Sequence, residues 1–188
     1  MKDLGELAAS TPRGGGRVRV EGGGGVCEVV LDHPERRNAL TPHMMVDLAD
    51  VDLDGVRCVL IRGEAGTFCS GGDLGAVRDS MARPGLGRVL GEFMTRAVDR
   101  LATLPMVGVL EGHALGGGAE LLAACDYVVA ARGAEIGFVQ AALGVSPGFG
   151  GGGHLVRRVG PGRALALLMA AERMPSVRAL ELGLVDEI

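Results

Sequence analysis

The chain has 188 residues, enough for one domain, and a chain of that length buries about 70% of its unfolded surface. It is 47% hydrophobic and 22% charged, an ordinary globular composition, and its net charge of −4 gives no general attraction for polyanions. A single lysine, Lys2, excludes a Walker A loop and a pyridoxal Schiff base, and 3% aromatics without Trp argue against a base-stacking nucleic-acid surface.

Glycine is the anomaly: 33 residues where average usage of about 7% would give about 13. They cluster at 14–16, 22–25, 71–72, 116–118 and 150–153 with no three-residue period. Such clusters mark places where backbone turns tightly or lies close to something.

Residues 1–16, low in apolar content, are expected to be disordered, and 17–188 to form one core domain. Met1–Pro12 carries Asp3 and Glu6 and resembles neither a signal nor a transit peptide, and no 18-residue apolar stretch occurs. Arg17–Glu21, a Gly22–Gly25 turn and Val26–Asp32 read as a β-hairpin. Thr41 is placed to cap a helix through Asp50, with Pro42 at its first position. Cys58–Arg62 reads as a buried strand, followed by a loop, Gly63–Gly72, and a helix from Asp73. Leu86–Leu104 carries apolar residues at i, i+3, i+4 and i+7 and is the most regular helix, ended by Pro105. Met106–Leu110 is the next strand, then a loop Gly112–Gly118 and a helix Ala119–Cys125. Tyr127–Ala131 and Glu135–Phe138 read as short strands. A helix runs from Gly160-Pro161 to Ala171, and Ser176 is placed to cap a last one that stops at Gly183. The repeated alternation makes the class α/β.

Four cysteines, Cys27, Cys58, Cys69 and Cys125, sit far apart with no C-x-x-C and no H-E-x-x-H, so reduced thiols and no metal site are expected. Two familiar motifs fail on chemistry. Gly144-Val145-Ser146-Pro147-Gly148 matches G-x-S-x-G, but the residue after the nucleophile must give its N–H to the oxyanion, and Pro147 has none. His154 also precedes the downstream acid, Asp186, in the wrong order. The segment 148–153 matches G-x-G-x-x-G but follows Ser146-Pro147 rather than a strand, and Glu172, the acidic residue about 20 positions on, falls in a helical pattern.

Two other places fit each other. Strand Cys58–Arg62 leads to Cys69-Ser70-Gly71-Gly72-Asp73-Leu74, and strand Met106–Leu110 leads to Gly112-His113-Ala114-Leu115-Gly116-Gly117-Gly118-Ala119-Glu120. Each is strand, glycine loop, helix start, and in parallel α/β sheets such loops gather where strands end. Two glycine N–H groups could then converge on one oxygen and stabilise an oxyanion.

With Asn38-Ala39-Leu40, A-C-D-Y and the Gly144–Gly152 segment, these motifs resemble the enoyl-CoA hydratase/isomerase (crotonase) superfamily over about residues 18–188. Phe138-Val139 and the run Arg163–Asp186 look most like its ethylmalonyl-CoA decarboxylase branch. The resemblance implies a crotonase (ClpP-like) spiral of ββα units, here without the family's C-terminal helical region. It implies the N–H groups of Gly72 and Gly117 as the oxyanion hole and Glu120 as a catalytic acid/base. It places Ser70, Asp73 and Leu74 at the adenine end of coenzyme A and Arg36 and Arg37 against the nucleotide. Gln140 stands where hydratases carry their second glutamate, and an amide exchanges no proton near neutral pH, so water addition is impaired. The expected activity is decarboxylation of ethylmalonyl-CoA or methylmalonyl-CoA, a carbon–carbon lyase reaction of fatty-acid metabolism in the cytosol. Enoyl-CoA hydration or isomerisation, and a non-catalytic scaffold or RNA-binding role, are the alternatives. No cofactor is implied beyond the coenzyme A of the acyl-CoA substrate, and no nucleic-acid or membrane partner. The family suggests a homotrimer or hexamer.

Overall fold

A β-hairpin opens the described part of the molecule, which a computed structural model covers at residues 15–75 and 86–188. The expected disordered segment falls almost wholly outside these residues, as does most of the helix expected from Asp73, of which Leu74 and Gly75 are described as helical. Strands β1 (Arg17–Gly23) and β2 (Val26–Asp32) pair antiparallel around Gly24 and Gly25, both at positive φ (64° and 88°). A two-residue turn with that twist matches the twist of its strands, and glycine adopts it without a Cβ clash. Helix α1 (Pro42–Ala49) follows, and the Thr41 side chain accepts the Met44 N–H as its cap.

Strand β3 (Cys58–Gly63) lies parallel to β2. After it come α2 (Leu86–Leu101) and β4 (Met106–Leu110), which pairs parallel to β3 as expected. Buried positions alternate along β3 and β4, and Val59, Ile61 and Leu110 are fully enclosed. The amphipathic stripe of α2 buries Met94, Val98 and Leu101, in the core cluster that also holds Met44 and Leu48 of α1. The expected end at Leu104 moves back to Leu101. The pre-proline position disfavours helix, and Thr103 turns its hydroxyl onto the Arg100 carbonyl at 2.7 Å.

Three residues then form β5 (His113–Leu115), where a plain loop was expected. Helix α3 (Gly117–Ala124) starts two residues earlier than its pattern suggests, and every one of its residues is buried. Strand β6 (Tyr127–Ala130) completes the five-stranded sheet, ordered β1-β2-β3-β4-β6. Strand β7 (Glu135–Gly137) pairs parallel to β5, and a 3-10 turn, Val139–Leu143, leaves it. Helix α4 (Gly151–Val159) has no counterpart in the sequence reading, while α5 (Pro161–Ala170) has. Strand β8 (Arg173–Pro175) closes the small sheet β5-β7-β8, and α6 (Ser176–Leu182) ends at Gly183. Ser176 is the first helical residue and not the cap. Its buried Oγ lies 2.9 and 3.0 Å from the carbonyls of Ala131 and Arg132.

Candidate active site

Three segments distant in sequence are laced side by side at the ends of β3 and β4. Leu40 donates its N–H to the Gly71 carbonyl (2.8 Å) and accepts the Asp73 N–H (2.9 Å). Cys69 donates to the His113 carbonyl (3.1 Å) and accepts the Leu115 N–H (2.9 Å). Gly116 in turn donates to Gly137 (2.9 Å), which ties the second loop to β7.

The first segment is fixed by Asn38, fully buried and in the left-handed region at φ 54°. Its Oδ1 accepts the His33 N–H (2.8 Å), and its Nδ2 donates to the carbonyls of Glu64 (2.9 Å) and Thr67 (2.6 Å). The Cys69 sulfur accepts the Gly71 N–H at 3.3 Å. Burial pushes that thiol up to about 12, so it stays protonated and serves as a brace.

This lacing aims two amides. The Gly71 carbonyl faces Leu40, and across a trans peptide the Gly72 N–H points the opposite way. The Gly116 carbonyl accepts the Glu120 N–H (3.1 Å), so the Gly117 N–H leaves the open N-terminal end of α3. The loops touch: a Cβ on Gly71 would lie 3.3 Å from the Gly117 nitrogen.

Both glycines line a cavity of about 250 Å³ with Glu120, Gln140, Ser70 and Leu74. Glu120, buried on the first turn of α3, has every lone-pair site engaged. Its Oε1 accepts from Gln140 Nε2 (2.8 Å) and the Gly148 N–H (3.1 Å), and its Oε2 from the N–H groups of Phe149 (2.8 Å) and Gly151 (3.0 Å). The remaining wall is mostly apolar, with Met45, Leu90, Val139 and Phe149 beside the hydroxyl-bearing Ser146, and no Lys, Arg or His stands among its described lining residues.

Ser70, Gly72 and Leu74 also line an adjoining groove of about 620 Å³, whose charged lining residues are Glu35, Arg36, Arg37, Asp73 and Arg173. The structure therefore divides the expected site residues between two connected spaces. Gly117, Glu120 and Gln140 line the cavity, Arg36, Arg37 and Asp73 the groove, and Ser70, Gly72 and Leu74 line both. Beside the groove, burial holds the pKa of His113 below its usual range, and Arg37 and Arg173 lower it further. The nitrogens of His154 meet Asp99 (3.1 Å) and Arg157, so neither is available to Ser146 and the G-x-S-x-G match stays without a base. Among the described residues no cluster of His, Cys, Asp and Glu could hold a metal, and no helix is long and apolar enough to cross a membrane.

The sequence reading missed Phe149 and Arg173. Phe149 lies in the rejected dinucleotide-type run, whose glycines have another use here. A Cβ on Gly151 would lie 2.3 Å from Glu120 Cβ and Cγ, and one on Gly117 2.3 Å from Phe149 Cε2.

The family model for enoyl-CoA hydratase/isomerase matches residues 21–188. Ethylmalonyl-CoA decarboxylase of Xenopus laevis is 42% identical over 172 residues, covering 87% of this chain and 57% of the relative. That of Homo sapiens is 35% identical, covering 87% and 55%. The chain thus spans little more than half the length of these relatives. The solved enoyl-CoA hydratase from Polaromonas sp. JS666 superposes with a TM-score of 0.83 at 31% identity, covering 92% of this chain and 70% of that one. A Thermobifida fusca YX structure in complex with acetoacetyl-CoA gives 0.79 at 28% identity, covering 98% and 75%.

Proposed function

Because the chain belongs to the enoyl-CoA hydratase/isomerase (crotonase) family, we propose that it binds an acyl-CoA thioester and decarboxylates ethylmalonyl-CoA or methylmalonyl-CoA. The observation that supports this reading is the chemistry of the cavity lining: two glycines whose preceding carbonyls are turned onto Leu40 and Glu120, a carboxylate already saturated, and no second carboxylate among the described lining residues. Water addition needs a base with a free lone pair. Gln140 is an amide, and the lone pairs of Glu120 are taken.

Decarboxylation needs an electron sink instead. The bond to the carboxylate breaks, its electron pair enters the thioester to form an enolate, CO₂ leaves, and a proton from solvent then adds at C2. The developing oxyanion sits between the N–H groups of Gly72 and Gly117, and one such donor is worth about 3 kcal/mol of barrier. The substrate carboxylate meets no cation among the described lining residues, most of which are apolar, and this disfavours the charged ground state relative to neutral CO₂. Binding of the distant coenzyme A offsets that cost. The names of the decarboxylase relatives support the same choice.

In the groove, Arg36, Arg37 and Arg173 are the partners for the nucleotide phosphates. Replacing Arg36 and Arg37 together by alanine is expected to weaken acyl-CoA binding by about tenfold and to flatten its salt dependence, read by calorimetry at two ionic strengths.

The test of the reaction is separate incubation with ethylmalonyl-CoA and crotonyl-CoA, with products followed by mass spectrometry. Butyryl-CoA from the first is expected. Formation of 3-hydroxybutyryl-CoA from the second, with no butyryl-CoA from the first, overturns the decarboxylase reading in favour of a hydratase.

A further inference from the structure

The sequence pattern marks Glu120 as an acid/base, yet its surroundings describe a clamp. A carboxylate offers about four acceptor sites, and here Gln140 and the backbone of Gly148, Phe149 and Gly151 fill them at 2.8–3.1 Å. A proton on either oxygen would displace one of these donors. Three of the four come from one loop, which packs tightly on both sides. A Cβ on Gly151 would lie 2.3 Å from Glu120 itself, and one on Gly91 of α2 2.9 Å from the Gly148 carbonyl. Phe149 rides on this loop. Its ring lies so close over Gly117 that a Cβ there would sit 2.3 Å from Cε2. The carboxylate therefore fixes the aromatic wall of the cavity and, through it, the surroundings of one inward amide.

We propose that Glu120 is a positioning residue that holds the 148–151 loop, and with it Phe149, against Gly117, and that it is not the proton carrier of the reaction. The inference rests on the acyl-CoA reading of the cavity. It assigns the shape of the acyl pocket to a buried anion with no part in proton transfer.

The two roles separate in binding without turnover. The probes are a thioether analogue of butyryl-CoA, which carries the acyl chain but cannot react, and coenzyme A alone. A positioning role predicts that Glu120→Gln weakens the analogue by about tenfold, because the amide cannot accept at both ends. Coenzyme A alone changes by less than about twofold, since the groove is untouched. Phe149→Ala should reproduce the loss with Glu120 in place, and the double variant should bind no worse than either single one. Gln140→Met removes one donor of four and gives a smaller loss of about threefold, so the test survives if Glu120→Gln does not fold; thermal unfolding reports that directly. The proposal is overturned if Glu120→Gln binds the analogue as tightly as the parent while turnover is lost, or if the losses in the double variant multiply. A parent chain that binds neither probe removes the acyl-CoA reading and this inference together; a parent that binds both, beside an unaltered Glu120→Gln affinity, removes this inference alone.

Discussion

If the cavity decarboxylates ethylmalonyl-CoA as proposed, alanine in place of Gly118 is expected to lower turnover by about 100-fold, the effect of misplacing one oxyanion donor. The position is a point of backbone contact. A Cβ there would lie 2.3 Å from the Cys69 carbonyl oxygen and 3.0 Å from its carbon, inside the segment that leads to Gly72. Neither atom can swing away, because Cys69 is bonded on both sides to β5. The first turn of α3 must therefore move off the Cys69–Gly72 segment and carry the Gly117 N–H with it. The strain is expected to cost about 2 kcal/mol, measured by urea denaturation beside the steady-state rate. Gly153→Ala in α4 is the control: nothing lies within 4 Å of a Cβ there, and alanine is the better helix former by up to about 1 kcal/mol. If Gly118→Ala keeps full activity, the two amides do not act on one oxygen.

The larger stability effect is expected at Asn38, outside the cavity. Asn38→Ala should destabilise the chain by about 4 kcal/mol. It removes three hydrogen bonds of a fully buried side chain, at about 1 kcal/mol each, and places alanine in the left-handed region at a further cost of about 1 kcal/mol. Asn38→Gly loses the same bonds but tolerates the backbone, so the two variants should differ by about 1 kcal/mol in urea denaturation. Equal stabilities would show that the conformation of residue 38 carries no strain.

Much of the frame was legible because it is written in periodicities. The runs of β2, β3 and β4 and the apolar stripe of α2 are local patterns that tertiary structure confirms with small shifts at the ends. Helix α4 was not legible. It opens Gly-Gly-Gly, the worst intrinsic helix formers after proline, and it exists because Leu155 and Val159 are buried and Gly151 nests against Glu120. Strand β5 is three residues between glycines, made a strand by pairing with β7. At the site, Gly72, Gly117, Glu120 and Gln140 could be named from the chain and do line one cavity. Their mutual state could not. The donors that fill Glu120 are mostly backbone N–H groups, which every residue but proline carries and which leave no mark in a sequence.

The lacing of Leu40 to Gly71 and Asp73, of Cys69 to β5, and of Gly116 to Gly137 also says when the cavity comes into being. No single hairpin or helix pair contains it. Its edges come from positions near 40, 72, 115 and 137, so several long loops must close before any two donor amides share a direction, and each closure costs chain entropy before contacts repay it. Competence to bind is then a property of the last-formed state of the chain. A ligand that recognises the paired amides draws on the stability of the entire domain and adds its own binding free energy to that stability.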